Sequence, residues 1–422
     1  MNLIEELEWR GLIHDVIPGT QEQLEKEQTT GYVGFDPTAP SLHIGNLVPV
    51  VLLKHLQRAG HKPIVLMGGA TGRVGDPSGK DKERQLLDAE VIESNVLTQT
   101  AQLQKFIDFE NTDNGAILVN NYDWFKDMNF LDFIRETGKH ITINYMMAKD
   151  SVKNRLEGGM SFTEFSYQLV QGYDFLKLYV DYDCKLQMGG SDQWGNITTG
   201  TELIRRKAGG EAFALTAPLI KKADGSKFGK SEGGNVWLSS ELTTPYEFYQ
   251  YWLNTSDEDA ENYIKVFTFL SRSEIEEIVE NHNKEPHLRK LQKRLAEEVT
   301  KLVHSEKALN VARASTELLF GRGSVSMLHG MEDDEILSVF DGVPQANLND
   351  AVGMGIADLL HESGFLASKG EARRALKENS ISVNKEKVNE AFVLEEKALI
   401  NQKYVLLQHG KKKFFLLSTI PG

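Results

Sequence analysis

One cysteine, Cys184, stands among 422 residues. No disulfide can therefore form within the chain and no cysteine-based zinc site can be built, a poverty that fits a reducing compartment. No apolar run approaches the roughly 20 residues that a membrane helix needs. The opening Met1-Asn2-Leu3-Ile4-Glu5-Glu6-Leu7-Glu8-Trp9 is acidic and amphipathic, where a signal peptide is basic and then apolar. The sequence predicts a soluble, cytoplasmic protein with no membrane partner. Basic residues are in the minority, 47 against 61 acidic, for a net charge of −14. That balance argues against a protein that coats nucleic acid nonspecifically, but not against RNA contact through local patches. Internal repeats and low-complexity tracts are lacking too. What is present is globular in character, with 40% hydrophobic and 26% charged residues. At roughly 150 residues per domain the length suffices for two or three cores.

The first half alternates short β-type runs with helical stretches. Thr30–Phe35, Pro63–Gly68, Ala116–Asn120 and Cys184–Gly189 read as strands, with periodic segments such as Val48–Ala59 and Asp88–Phe109 between them. Such alternation predicts a Rossmann-like, doubly wound parallel sheet, with ligands past the carboxyl ends of its strands. From about Thr243 the pattern turns helical: 245–253, 256–270, 273–281 and a long stretch 286–319, extended or broken. Gly321, Gly323 and the acidic run Glu332–Glu335 suggest a linker that Pro344 closes. A small α+β tail follows. Its helix 356–366 precedes a second one, which Ser368-Lys369-Gly370-Glu371 opens as a capping box. A strand at Ile381–Val383 and a hairpin, 404–408 with 414–418, complete it. Residues 350–422 hold 11 basic against 9 acidic residues, unlike the acidic body. The expected division is 1–220, a Rossmann-like domain; 221–325, a lysine loop and helical domain; 326–345, a linker; and 346–422, a small domain.

Two glycine-bearing motifs carry chemistry. Asp36-Pro37-Thr38 and Leu42-His43-Ile44-Gly45-Asn46-Leu47 follow the first strand. Pro49 is tolerated only in a first helical turn, so the helix must begin near Gly45–Asn46 with His43 just before it. Free N–H groups and a positive dipole end make such a turn a natural phosphate site, to which His43 and Asn46 add side-chain donors. Far downstream, Lys227-Phe228-Gly229-Lys230-Ser231 lies among Gly225, Gly233 and Gly234, a hinged cationic loop able to close on a polyanion. Taken singly, the first reads equally well as an ordinary βα turn with a surface histidine, and the second reads better as a solvated turn.

Together, His43-Ile44-Gly45-Asn46 and Lys227-Phe228-Gly229-Lys230-Ser231, on an α/β body followed by helices, resemble the HIGH-type and KMSKS-type motifs of class I aminoacyl-tRNA synthetases. Gly189-Gly190-Ser191-Asp192-Gln193-Trp194-Gly195-Asn196 and Ser161-Phe162-Thr163-Glu164-Phe165-Ser166-Tyr167 resemble the tyrosyl branch in its bacterial form. The likeness runs the whole length. Two departures stand out: Asn46 replaces the second histidine while still offering N–H₂ to a phosphate oxygen, and the lysine loop reads KFGKS. A nucleotidyltransferase with a similar turn is one alternative, against which the loop, the helices and the tail count. A retired synthetase that only binds RNA is another, against which the retention of His43, Lys80, Lys227 and Lys230 counts.

The helix Phe162–Tyr179 carries Tyr167, Gln171 and Asp174 at i, i+4 and i+7, a polar stripe on one face of an otherwise apolar segment. A solvated face is the plain reading, although buried polar groups of this kind need partners. The resemblance implies that the enzyme activates L-tyrosine with ATP to tyrosyl-adenylate and pyrophosphate, then transfers tyrosine to the 3′ end of tRNA(Tyr). It implies that Tyr32 and Asp174 grip the substrate phenol, that Tyr167, Gln171 and Asp76 hold its ammonium, and that Gln187 walls the pocket. On the nucleotide side it implies Gly34, Asp36, His43, Gly45, Asn46, Gly190, Asp192, Gln193, Lys230 and Ser231. Thr38, His43, Asn46, Lys80, Arg84, Lys227 and Lys230 would steady the phosphates as pyrophosphate departs. Mg2+ would arrive with ATP, without a dedicated protein metal site. The tail resembles a small RNA-binding domain, presenting Lys369, Arg373, Arg374 and Lys377 on a helix and Lys411, Lys412 and Lys413 on a hairpin. The resemblance further implies a homodimer with one tRNA crossing both subunits and the helical domain near the anticodon.

Overall fold

The computed structural model describes residues 2–78, 86–156, 159–226, 228–231, 234–319, 325–328, 331–340, 343–410 and 413–419. By its contacts the chain divides into two compact units, Met1–Thr243 with Trp252–Val303, and Thr244–Tyr251 with His304–Gly422.

The first unit is built on a six-stranded sheet. Its strands are β1 (Asp15–Val16), β2 (Thr30–Phe35), β3 (Lys62–Met67), β4 (Ile117–Asn120), β5 (Cys184–Gly190) and β6 (Phe213–Ala217), in the spatial order β1-β6-β5-β2-β3-β4. All pairs are parallel except β1 with β6. From β2 the chain winds outward through β3 and β4, then returns to the other side of β2 with β5 and β6. The direction of winding reverses between β2 and β5, and a crevice opens at such a point beyond the carboxyl ends. The register sets Tyr32 of β2 beside Gln187 of β5. The doubly wound sheet that the alternation implies is present. The strands β1 and β6 had no counterpart in the sequence reading: β1 has only two residues, and β6 is a short, wholly buried run, indistinguishable by periodicity from a core helix segment.

Two helices position the site. Leu47–Arg58 follows a 3-10 turn at Ile44–Asn46, and Pro49 falls in its first turn, where its missing N–H costs nothing. Phe162–Tyr182 starts with a full capping box, Ser161 with Glu164, and ends at Asp183 in the left-handed conformation. It crosses the helix Trp194–Leu203 at two glycines. A Cβ on Gly172 would lie 3.3 Å from Thr199 Cγ2, and one on Gly200 2.9 Å from the Phe175 side chain. Phe175, Tyr32, Leu178 and the buried Cys184 then share one core cluster. The N-terminal helix Leu3–Trp9 is fastened by Arg10, whose buried guanidinium donates to the carbonyls of Lys265, Thr268 and Leu270 at the end of helix Asp257–Phe267.

The stretch 286–319 is broken, with helices Lys290–Val303 and Glu306–Leu319 falling in different units. In the second unit five strands order as Glu386–Lys387, Ile381–Val383, Tyr404–His409, Lys413–Ser418 and Gln345–Asn347. One apolar cluster gathers helices Ile356–Glu362 and Lys369–Lys377; another gathers Leu318, Leu328, Ile336 and Phe340 with Tyr404 and Leu416. Where the sequence suggests a linker, Asp333–Val339 forms a helix capped by Glu332 with Glu335. The acidic run is that helix's first turn, where negative charge faces the positive dipole end.

Candidate active site

The crevice past β2 and β5 has a cavity volume of about 940 Å³. All six residues assigned to tyrosine, Tyr32, Asp76, Tyr167, Gln171, Asp174 and Gln187, line it. So do Gly34 of β2, Asp36, Thr38, His43, Gly45 and Asn46 from the turn after it, and Gly190, Asp192 and Gln193 from the end of β5.

Its inner end is organised around Asp174, which is 1% exposed. Trp124 Nε1 donates to Oδ1 at 2.9 Å and Asn121 Nδ2 to Oδ2 at 3.0 Å. Burial pushes the carboxyl up to about 8, against the pull of those two donors and with a push from Asp36. The Tyr32 hydroxyl is buried and makes no hydrogen bond, and its phenol is held well above the usual range by burial and then by Asp174. The Oε1 atoms of Gln171 and Gln187 are likewise buried without a hydrogen-bond partner. Sequence reasoning missed Asn121 and Trp124, which lie just past the carboxyl end of β4. That position was itself the available signal, since strand ends are where ligand groups gather.

The middle of the crevice is a network of carboxylates and donors. Asp36 accepts from the Tyr167 hydroxyl at 2.7 Å and from Thr71 Oγ1 at 2.6 Å. Asp76 accepts from Gln193 Nε2 at 2.8 Å and from the Ser78 N–H at 2.9 Å. Asn196, also missed, donates to Ser78 Oγ and Gln193 Oε1. Burial and then the neighbouring Asp36 and Asp76 hold the Tyr167 phenol well above its usual range, so it remains a donor. The carboxylates at 36 and 76, with that of Asp192 in the same lining, favour a cation such as an ammonium.

At the outer end, His43 is the N-cap of the 3-10 turn. Its Nδ1 accepts from the Gly45 N–H at 3.0 Å, while Asn46 Oδ1 accepts from the His43 N–H at 3.0 Å. With Nδ1 an acceptor, the neutral ring carries its proton on Nε2. A Cβ on Gly45 would lie 2.7 Å from His43 Cε1, so only glycine fits. Asn46 spends its carbonyl on the cap and keeps its N–H₂.

The lysine-loop segment meets this turn. The Ile44 N–H donates to Val236 O, Leu238 N–H to Leu42 O, and His43 pairs with Trp237 across an isolated bridge. Gly229, at φ +89°, adopts the left-handed backbone that glycine tolerates and lies in van der Waals reach of Ile44. Phe228 is packed on Phe267, stacked at 5.2 Å, and edge-on to Tyr263 at 5.1 Å. Two motifs far apart in sequence thus converge. The backbone of Lys230–Ser231 pairs with Gly234–Asn235; Lys80, Arg84 and Lys227 lie outside the described residues, as do the side chains of Lys230 and Ser231.

In the tail, Ser368 caps the helix by accepting from the Glu371 N–H. Arg373, Arg374 and Lys377 are exposed on it, and Lys369 is paired with Asp358 at 2.7 Å. Lys413 is exposed with its Nζ over the Phe365 ring. Lys411 and Lys412 lie outside the described residues.

Comparison with known proteins shows the family. Residues 24–321 match the family model described as tRNA synthetases class I (W and Y), and residues 335–417 that of the SYY-like C-terminal domain of tyrosine–tRNA ligases. The chain is 60% identical over 428 residues to a tyrosine–tRNA ligase of Flavobacterium psychrophilum, covering 99% of both chains. It is 58% identical to one from Bacteroides fragilis, again over 99% of both. A C-terminally truncated mitochondrial tyrosyl-tRNA synthetase of Aspergillus nidulans superposes with a TM-score of 0.68 at 32% identity, over 76% of this chain and 94% of that one. A tryptophanyl-tRNA synthetase of Plasmodium falciparum, 15% identical with a TM-score of 0.52 over 80% of this chain and 88% of that one, shares the fold alone.

Proposed function

The chain belongs to the tyrosyl-tRNA synthetases of class I, and on that premise we propose how its crevice divides the work. The protein activates L-tyrosine with ATP to tyrosyl-adenylate and pyrophosphate, then transfers tyrosine to the 3′ end of tRNA(Tyr). The substrate phenol enters the inner end, donating to Asp174 and accepting from Tyr32. Its ammonium lies among Tyr167, Gln171 and Asp76, with Gln187 against the ring. The observation that carries this reading is a buried carboxylate with one donor fixed on each oxygen, in the same crevice as a buried phenol that has no hydrogen bond. Phenylalanine would leave the buried Tyr32 hydroxyl without a partner, at a cost of about 1–3 kcal/mol, and would offer no donor to Asp174.

The tyrosine carboxylate attacks the α-phosphorus in line. A carboxylate oxygen–phosphorus bond forms, the bond to the bridging oxygen breaks, and pyrophosphate leaves with the electron pair. No protein nucleophile is needed, so the residues act by position and charge. Thr38, His43 Nε2 and the Asn46 amide face the departing pyrophosphate, joined by Lys80, Arg84, Lys227 and Lys230 from the glycine-flanked loops. Gly34, Gly45, Gly190 and Ser231 let the nucleotide approach the backbone, while Asp36, Asp192 and Gln193 orient the adenylate. Mg2+ travels with ATP, held by phosphate oxygens and water. Asp36 and Asp76 are already engaged by two or more donors each, which suits orientation of substrate better than service as metal ligands.

The tail binds tRNA(Tyr) phosphates through Lys369, Arg373, Arg374, Lys377, Lys411, Lys412 and Lys413, and 221–325 lies on the anticodon side. A homodimer forms through the surface on which Phe130, Leu131, Ile143 and Phe162 are exposed; sedimentation velocity measures it directly. No helix among the described residues is long and apolar enough to cross a membrane, and we assign the protein to the cytoplasm. The test of the whole is tyrosine-dependent exchange between pyrophosphate and ATP without tRNA, with phenylalanine and tryptophan as controls. Exchange with tyrosine alone is expected; exchange with tryptophan instead would refute the pocket assignment.

A further inference from the structure

The segment Pro37–Leu42, leading from Asp36 to His43, has few backbone donors of its own, because Pro37 and Pro40 carry no N–H. Its carbonyls are met instead by one face of the helix Ala89–Leu103. Asn95 Nδ2 donates to Pro37 O at 3.0 Å, Thr98 Oγ1 to Pro40 O at 2.8 Å and Gln99 Nε2 to Ala39 O at 2.7 Å. Gln102 closes the run twice, accepting the Leu42 N–H on Oε1 and donating from Nε2 to Ser41 Oγ, both at 2.9 Å. Positions 95, 98, 99 and 102 recur at helical spacing and share that face. Asn95 and Gln99 are only 5% and 2% exposed, a costly place for an amide; their N–H₂ groups are met by these carbonyls, while Gln99 Oε1 is buried without a hydrogen-bond partner. The same segment supplies Thr38, Ala39, Leu42 and His43 to the crevice wall.

We infer that Asn95, Thr98, Gln99 and Gln102 are positioning residues for tyrosyl-adenylate formation, acting as a rail that fixes the Thr38–His43 turn against the departing pyrophosphate. The inference rests on the functional reading above. Asp36, at one end of the segment, is anchored by Tyr167 and Thr71, and His43, at the other, by its own cap. Between these ends the rail supplies five side-chain bonds. Charge that develops in the transition state is stabilised only by donors already aimed at it, and a displacement of about 1 Å can cost roughly 100-fold in rate.

The test compares Gln99→Leu and Gln99→Leu/Gln102→Leu with the parent enzyme. Thr98→Val, at an exposed position, serves if the leucines impair folding, with the same pattern expected at smaller amplitude. Amide hydrogen exchange in the free protein should quicken by about 10-fold or more over residues 38–46 and nowhere in the sheet. Single-turnover adenylate formation should slow by about 10-fold or more with tyrosine affinity unchanged. Combined with Thr38→Ala, the losses should be less than multiplicative, because the rail acts through that turn. Unchanged exchange over 38–46, an equal loss of tyrosine affinity, or fully multiplicative losses would each overturn the inference. A parent enzyme without tyrosine-dependent activation would instead sink the functional reading, and the exchange data alone would then decide whether the helix orders the turn.

Discussion

Raising the pH should tighten tyrosine binding, and the reason lies in Asp174. Its carboxyl is pushed up to about 8 by burial, so the empty pocket near pH 7 holds mostly the neutral acid. Both oxygens already accept one bond, from Trp124 and Asn121. A proton on either would occupy the acceptor direction that the substrate phenol needs, setting donor against donor. Binding must therefore deprotonate Asp174, and each pH unit below its pKa costs about 1.4 kcal/mol, or about 10-fold in affinity. Tyrosine affinity is expected to rise about 10-fold between pH 6 and 7, more gently to pH 8, and then level. Trp124→Phe deletes one bond to the charged form, worth about 1.5–3 kcal/mol, which moves the midpoint up by about one to two pH units. The variant should bind weakly near neutrality and recover at higher pH, whereas simple packing damage would not recover. Equilibrium dialysis with labelled tyrosine and no ATP measures this, with phenylalanine as a control whose affinity does not follow the same curve. A flat profile between pH 6 and 8, or one that falls, would refute the reasoning.

Asp174→Asn probes the same group through stability. Because its folded pKa is raised, the stability contributed by neutral Asp174 is full at low pH and is lost as pH rises toward about 8. The melting temperature of the variant relative to the parent should therefore climb between roughly pH 4 and 8, while selectivity for tyrosine falls; a constant difference across that range would contradict the assignment. Gly45→Ala places a Cβ 2.7 Å from His43 Cε1 and should slow adenylate formation by about 10-fold or more with little change in tyrosine affinity; rapid-quench kinetics at saturating tyrosine would expose a parental rate. Arg373→Glu with Arg374→Glu should abolish most tRNA charging at moderate salt and leave pyrophosphate exchange intact, a split that comparison of the two assays checks directly.

Much of the catalytic unit was legible because its physics is local. The alternation of strands and helices, the obligation that Pro49 places on its helix and the polar stripe 167, 171 and 174 each follow from a few adjacent residues. Asn121 and Trp124 offered only the signal of their place past the end of β4; their role was not legible because their partner is a carboxylate on a distant helix. The same holds for Asn95, Gln99 and Gln102, whose spacing suits a solvated face and whose purpose appears only when the carbonyls of 37–40 come to lie against them. In the tail, the acidic run 332–335 looked like a linker because charge was weighed without dipole; as a helix's first turn it precedes the buried Ile336 and Val339. The convergence of the HIGN turn and the KFGKS segment rests on backbone bonds through Val236 and Leu238, which no residue pattern encodes.

The seclusion of Cys184 has a practical corollary. The thiol is fully buried in the core cluster that also holds Tyr32 and Phe175, and burial pushes its pKa up, so it stays protonated and beyond the reach of alkylating dyes. With no other cysteine in the chain, the wild-type protein is already a single-site labelling background. A dye attached through Asn235→Cys, at an exposed position beside the lysine loop, would be the single attached label in the molecule. Its emission could then follow that loop in real time as ATP arrives and pyrophosphate leaves, with no native thiol to remove first.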